Sequence, residues 1–203
     1  MKVVTHDIPR RWLEEHKNSE AAQRDEMWEG VLHMPPMPSG MHQDFADDLR
    51  EYLKRRWAKP NGGFARREAN LTTPEDEEHW TRNFRIPDVV LVSADRLHID
   101  KDDYLVGPPL VVVEVRSPGD ETFEKLPFYA ALGVPEVWVF DRDTRAPELR
   151  ALVAGPAYDV LAPDADGWHV SPATGVGFRQ TRTGKVWARV HGDDATAEEL
   201  PDT

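Results

Sequence analysis

Apolar residues recur every three or four positions after Ser39. Met41, Phe45, Leu49, Leu53 and Trp57 form one stripe, and Asp47, Asp48, Arg50, Glu51, Lys54 and Arg55 lie on the opposite face. This period predicts an amphipathic helix, capped by Ser39 and stopped by Pro60-Asn-Gly-Gly63. A further helix is expected over Glu121 to Leu132, ended by Gly133. An earlier one is expected over Ile8 to Gln23, where Pro9 suits a first turn. Elsewhere the pattern shortens to period two or to β-branched runs. Asp25 to Met34 reads as a hairpin around Glu29-Gly30, and Phe64 to Leu71 as an alternating strand. Val89 to Val92, Leu110 to Val115 and Val137 to Phe140 read as buried strands. Met34-Pro-Pro-Met-Pro38 must be extended, because stacked prolines exclude a helix. Pro74 to Asn83 is a polar loop, and Leu149 to Val190 is a series of short strands and turns. The fold class is α+β (mixed α/β). Residues 1–192 are expected to form a single domain, with 193–203 an acidic, flexible tail.

Composition narrows the function. The 203 residues include no Cys, which removes disulfides, thiolate zinc sites and cysteine nucleophiles. The opening MKVVTHDIPR lacks an apolar signal stretch, and no run reaches the roughly 20 apolar residues of a membrane helix. A cytoplasmic protein without a membrane partner is expected. The formal charge is −12, from 25 Lys plus Arg against 37 Asp plus Glu. Such a field opposes passive coating of nucleic acid, so any such partner needs local cations or a bound metal. The one crowded basic set precedes Asp88: Lys54, Arg55, Arg56, Lys59, Arg66, Arg67, Arg82 and Arg85. Of these, Arg66, Arg82 and Arg85 are candidates to steer phosphate.

Several catalytic templates fail. Ser117-x-Gly119 lacks the first glycine of a nucleophile elbow, since Val115 stands there. Gly184-Lys185 lacks the first glycine and the Ser/Thr of a phosphate loop. Asp100-Lys-Asp102-Asp103 has Leu105 where a calcium loop needs glycine, and there is no H-E-x-x-H. What survives is a pair of acids at apolar strands. Asp88 precedes Val89-Val-Leu-Val92, and Glu114 interrupts an otherwise buried run. Burying an unpartnered carboxylate costs several kcal/mol. Period two places Glu114 and Arg116 on one face, with Val113 and Val115 on the other. If the two strands are neighbours, the carboxylates meet and must share a proton or a cation. An all-oxygen site suits Mg²⁺ or Mn²⁺. Two readings stand beside this one: an ion pair between Glu114 and Arg116, and a two-carboxylate glycosidase.

Pro87-Asp88 followed by Glu114-Val-Arg116 resembles the PD-(D/E)XK signature of restriction-endonuclease-like nucleases. The flanking text is more specific: Val112-Val-Glu-Val-Arg-Ser-Pro118, Glu124-Lys125, Tyr129-Ala, Gly133-Val-Pro-Glu-Val-Trp138 and Asp141 resemble the Uma-type restriction endonuclease family. Glu26-Met-Trp-Glu-Gly30, Met34-Pro-Pro and His42 are similar to its opening block. The resemblance implies a central mixed β-sheet flanked by helices, with extra strands C-terminal to it. It also implies a metal-dependent endonuclease acting on DNA as a homodimer. Asp88 and Glu114 become metal ligands, with the Val115 carbonyl a third and Glu26 completing the shell or orienting water. Arg116 departs from the pattern, which has lysine there: as a catalytic residue it is too basic to take a proton but can stabilise charge on the phosphate, or it holds Glu114 in place. The working lysine is then Lys125 on the following helix. His42 packs or joins the nucleic-acid face. The alternative is a nuclease-like dimeric scaffold that does not cut.

Overall fold

A computed structural model describes residues 19–153, 155 and 157–201. Most of the helix expected over 8–23 lies outside them; within them, Glu20–Arg24 forms a single 3₁₀ turn. A hairpin of β1 (Glu26–Trp28) and β2 (Val31–His33) leads through the proline connector into α1 (Gly40–Leu53). The Ser39 hydroxyl accepts the His42 N–H at the start of that helix, as its cap should. A π-turn over Lys54–Ala58 extends α1 and carries the buried Trp57. Then come β3 (Phe64–Arg67), β4 (Leu71–Thr72), a 3₁₀ segment at Pro74–Arg82, β5 (Phe84–Arg85) and β6 (Val89–Val92). Strands β7 (Leu105–Val106) and β8 (Val111–Arg116) follow, then α2 (Leu126–Leu132), ended by Gly133 at φ 83°. The second half is β9 (Glu136–Asp141), β10 (Pro147–Leu152), β11 (Tyr158–Val160), β12 (His169–Val170), β13 (Val176–Gln180), β14 (Val186–Val190) and β15 (Asp193–Leu200).

The central sheet runs β11-β10-β9-β8-β6-β3. Within it β8 and β9 are parallel and the other pairs antiparallel. A parallel pair requires a crossover, and α2 supplies it. Alternation along these strands builds two cores. Val89, Leu91, Val111, Val113, Val115, Trp138 and Phe140 pack with Phe45, Leu49 and Leu53 of α1 and with Val176, Phe178 and Val186 of a second, C-terminal sheet. Val90, Val92, Val112, Val137 and Val139 pack with Tyr129 of α2 and with Leu71 and Leu105 of a third sheet, β2-β1-β5-β4-β7. Period two puts Glu114 with Val112, on the α2 side.

Two expectations are corrected. Met41 is 57% exposed and His42 is buried in its place, because the apolar stripe begins one residue later. The acidic segment 193–200, expected to be a flexible tail, is strand β15, antiparallel to β14. Leu200 enters the core at 3% exposure, and Glu198 takes hydrogen bonds from Arg55 at 2.6 and 2.9 Å and from Arg56 at 2.7 Å. Asp193 and Asp194 are exposed, while Glu198 shares the face of Leu200 and reaches the two arginines at its edge. No helix among the described residues is long and apolar enough to cross a membrane.

Candidate active site

Pairing of β6 with β8 matches Val89 to Val113 and Val90 to Val112. Just beyond this ladder Asp88 and Glu114 lie close enough for their charges to interact. The Val115 N–H donates to Asp88 Oδ2 at 2.6 Å. A strand residue's N–H and C=O leave by the same edge, so the Val115 carbonyl also faces this point. Pro87 has no N–H to offer it. Local sequence thus does three things at once: it ends the ladder, turns the Asp88 carboxylate inward and leaves a backbone oxygen beside it.

The other groups arrive from β1, α1 and α2. Lys125, just before α2, places Nζ 2.7 Å from Glu26 Oε1, 3.3 Å from Glu114 Oε1 and 3.3 Å from the Ile86 carbonyl. Tyr129, one turn on, donates its hydroxyl to Glu114 Oε1 at 2.6 Å. His42 Nε2 lies 2.9 Å from Asp88 Oδ1, while its Nδ1 is buried without a partner among the described residues. Glu26 is fully engaged: Oε1 holds Lys125 and the Ile86 N–H, and Oε2 accepts the Trp28 indole N–H at 2.6 Å. All line a cleft of about 580 Å³, except Trp28 and Tyr129, which support it from behind.

The electrostatics separate the two strand acids. Burial opposes ionisation of Asp88, but the hydrogen bond and charge of His42, the Val115 N–H and Lys125 outweigh it. Its pKa lies below the ordinary carboxylate value. Burial pushes Glu114 up to about 8; Lys125 opposes this, and the charges of Asp88 and Glu26 add to it. Burial pulls Lys125 down, yet Glu114 and Glu26 carry it above an ordinary lysine. The cluster therefore holds a fixed cation and more carboxylate than that cation neutralises.

A family model described as "Uma2: Putative restriction endonuclease" matches residues 11–183. The chain belongs to the Uma2 family. Among solved structures, it is similar to "a putative nuclease belonging to DUF820 from Anabaena variabilis ATCC 29413". The TM-score is 0.58 at 19% identity, over 79% of this chain and 88% of that one. At that identity the likeness bears on the fold, a mixed α+β arrangement as expected. No curated protein matches the chain.

In this Uma2 chain the residues expected at the site divide in two. Asp88, Glu114, Lys125, Glu26 and His42 come together. Arg116 does not join them: it is exposed at the end of β8, its guanidinium 5.2 Å from the centre of the Phe123 ring. The partners of Glu114 are Lys125 and Tyr129, so the Glu114–Arg116 ion pair is not formed. The phosphate-steering set also disperses. Arg66 grips Asp100 at 2.6 and 2.8 Å, Arg85 is buried at 4% exposure, and Arg82 is exposed at the end of the 3₁₀ segment, away from the cleft lining. The cationic side chains lining the cleft beside Lys125 are Arg24 and Arg142. Sequence reasoning missed Tyr129, Trp28 and a pair formed by His33 Nδ1 and Glu121 Oε2, 2.8 Å apart. The Tyr129 signal was available: a helix residue one turn after Lys125 faces the same way.

Among the described residues no three His, Asp or Glu side chains form a ready metal cage, since Glu26 is turned to Lys125 and Trp28. The remaining donors still fit a hard cation. Glu114 Oε2 takes no hydrogen bond among the described residues, Asp88 lines the same cleft, and the Val115 carbonyl leaves β8 by the edge that meets Asp88.

Proposed function

We propose that this chain is a divalent-cation-dependent nuclease that hydrolyses phosphodiester bonds of DNA. The observation that carries the reading is the placement of Asp88 beside Glu114, with Lys125 Nζ 3.3 Å from Glu114. Asp88, Glu114 and the Val115 carbonyl would hold Mg²⁺ or Mn²⁺. Such an ion offsets charge on the reacting phosphate and lowers the pKa of water. The protein's own groups act around it. Lys125 stays charged, so it serves as a donor to a developing phosphate oxyanion and not as a base. Glu26 anchors that ammonium from behind. His42 and the Val115 N–H fix the Asp88 oxygens, and Tyr129 fixes Glu114, the kind of support that orients ligands. We take the acting unit as a homodimer, one site for each strand of a duplex; sedimentation of the full chain at micromolar concentration tests this.

A second reading, a nuclease-like scaffold that does not cut, is favoured by the charge of the cleft. Glu68, Asp120, Glu121 and Glu124 line it in addition to the three acids above. Cleavage of plasmid and single-stranded DNA separates the two, run with Mg²⁺ or Mn²⁺ and with EDTA, for wild type and Glu114→Ala. Metal-dependent nicking that the variant loses supports the nuclease. No cutting by wild type, together with no metal binding, supports the scaffold.

A further inference from the structure

A second cavity of about 560 Å³ shares Glu124 with the catalytic cleft and is lined by Trp28, Arg85, Phe128, Glu29 and Glu75. Arg85 decides its chemistry. Its guanidinium carbon lies 4.4 Å from the centre of the Trp28 ring and 4.3 Å from that of Phe128. Nη1 donates to the carbonyls of Met27 and Phe84 and to Asn83 Oδ1. Nε is buried with no partner, and Nη2 has none among the described residues. A guanidinium carries five donors in a planar fork, so one whole edge of Arg85 is unused. Leaving such donors buried and unmet is costly. Burial also pulls the group below an ordinary guanidinium pKa, more than Glu26, Tyr129 and Glu29 offset.

We propose that this cavity takes up one unpaired nucleobase of the bound strand, guanine in preference to the others. The strand comes from the nuclease reading; the pocket stands on Arg85. Three carboxylates against one guanidinium repel a phosphate, so the ligand is neutral. It must accept hydrogen bonds from Arg85 and donate them to a carboxylate. Guanine does both in one plane: O6 and N7 accept from a guanidinium, and N1–H and the 2-amino group donate to a carboxylate. Adenine and cytosine pair less fully, and thymine has a single N–H between two carbonyls. Trp28 is held between Arg85 and the stacked His33 ring, so Phe128 is the ring that adds aromatic surface for a base, without choosing among bases. A base can reach such a site only from a single strand or flipped out of a duplex.

The test is calorimetric titration of the full chain, in EDTA, with guanosine, adenosine, cytidine, thymidine and inorganic phosphate. Saturable guanosine binding, about tenfold or more tighter than thymidine, is expected, with no phosphate binding. Glu29→Gln combined with Glu75→Gln, both at exposed positions, should weaken guanosine about tenfold at an unchanged melting temperature; Arg85→Lys should weaken it similarly. Glu114→Gln should leave it untouched, so a chain that binds guanosine but does not cut retains this pocket and loses the nuclease reading. Absence of binding by every nucleoside, equal binding of all four, tighter binding of phosphate, or indifference to the double variant would each overturn the proposal.

Discussion

The two faces of strands β6 and β8 differ in what they do with the same backbone. On one face Val89, Val113 and Val115 are sealed against α1 and the C-terminal sheet. On the other, one residue away in each strand, Asp88 and Glu114 meet Lys125, His42 and Tyr129. The apolar face is non-directional and gains stability from each methylene it hides. The polar site has hydrogen bonds for nearly every buried group, yet burial, with the charges of Asp88 and Glu26 added, outweighs Lys125 and pushes the Glu114 carboxyl up. Stability and chemistry thus part at the end of this ladder: the α1 face is apolar throughout, whereas the α2 face passes from Val90 and Val112 to Asp88 and Glu114. Substitutions at Glu114 and on the α1 face should have opposite signatures.

The largest effect is expected at Glu114. Glu114→Gln should reduce DNA cleavage to background while leaving the metal-free protein as stable as wild type or more so; equal cleavage by the variant would erase the contrast. Phe140→Ala, on the apolar face, should destabilise by about 3–5 kcal/mol in denaturant unfolding. Its cleavage rate per folded molecule should stay close to wild type. Tyr129→Phe, which removes the hydroxyl at Glu114, should weaken Mn²⁺ affinity or cleavage by about 10- to 100-fold. If it changes neither, Tyr129 belongs to the packed core alone.

The same contrast has a pH form. Glu114 is raised in the folded state, so the native protein binds the extra proton between the ordinary glutamate value and about 8. Metal-free stability from Glu114 is therefore present at acid pH and lost as pH rises through that window. Asp88 is lowered, so its contribution has the other sign: present above the ordinary aspartate value and lost as pH falls through its folded pKa. Unfolding in EDTA from pH 5 to 9 should show stability falling for wild type and a flatter profile for Glu114→Gln. The smallest effect is expected at Arg66→Ala. Its part-exposed pair with Asp100 is worth about 0–1 kcal/mol, and DNA affinity should be unchanged.

What was legible in the sequence follows the same division. Periodicity located α1, β6, β8 and β9, because burial writes itself into spacing. Acids at apolar strands flagged Asp88 and Glu114, and the family resemblance added Glu26, Lys125 and His42. Side-chain engagement at long range was not legible. Arg66 and Arg85 looked like free cations until the fold brought Asp100 to one and two aromatic rings to the other. The segment 193–200 looked unstructured because its acids have poor strand propensity; β14 and the Arg55–Arg56 pair on the π-turn after α1 hold it in place.

The central claim is that Asp88 and Glu114 hold a divalent cation, and it is tested most directly by Mn²⁺ titration of the full chain. Run at pH 7 in buffers of different ionisation enthalpy, the heats should show saturable binding with close to one proton released, because Glu114 must ionise to serve as a ligand. Release should vanish by pH 9 and be absent in Glu114→Gln, which should also bind far more weakly. Saturable binding that is unchanged in both Asp88→Asn and Glu114→Gln, or no binding by wild type at millimolar Mn²⁺, would contradict it.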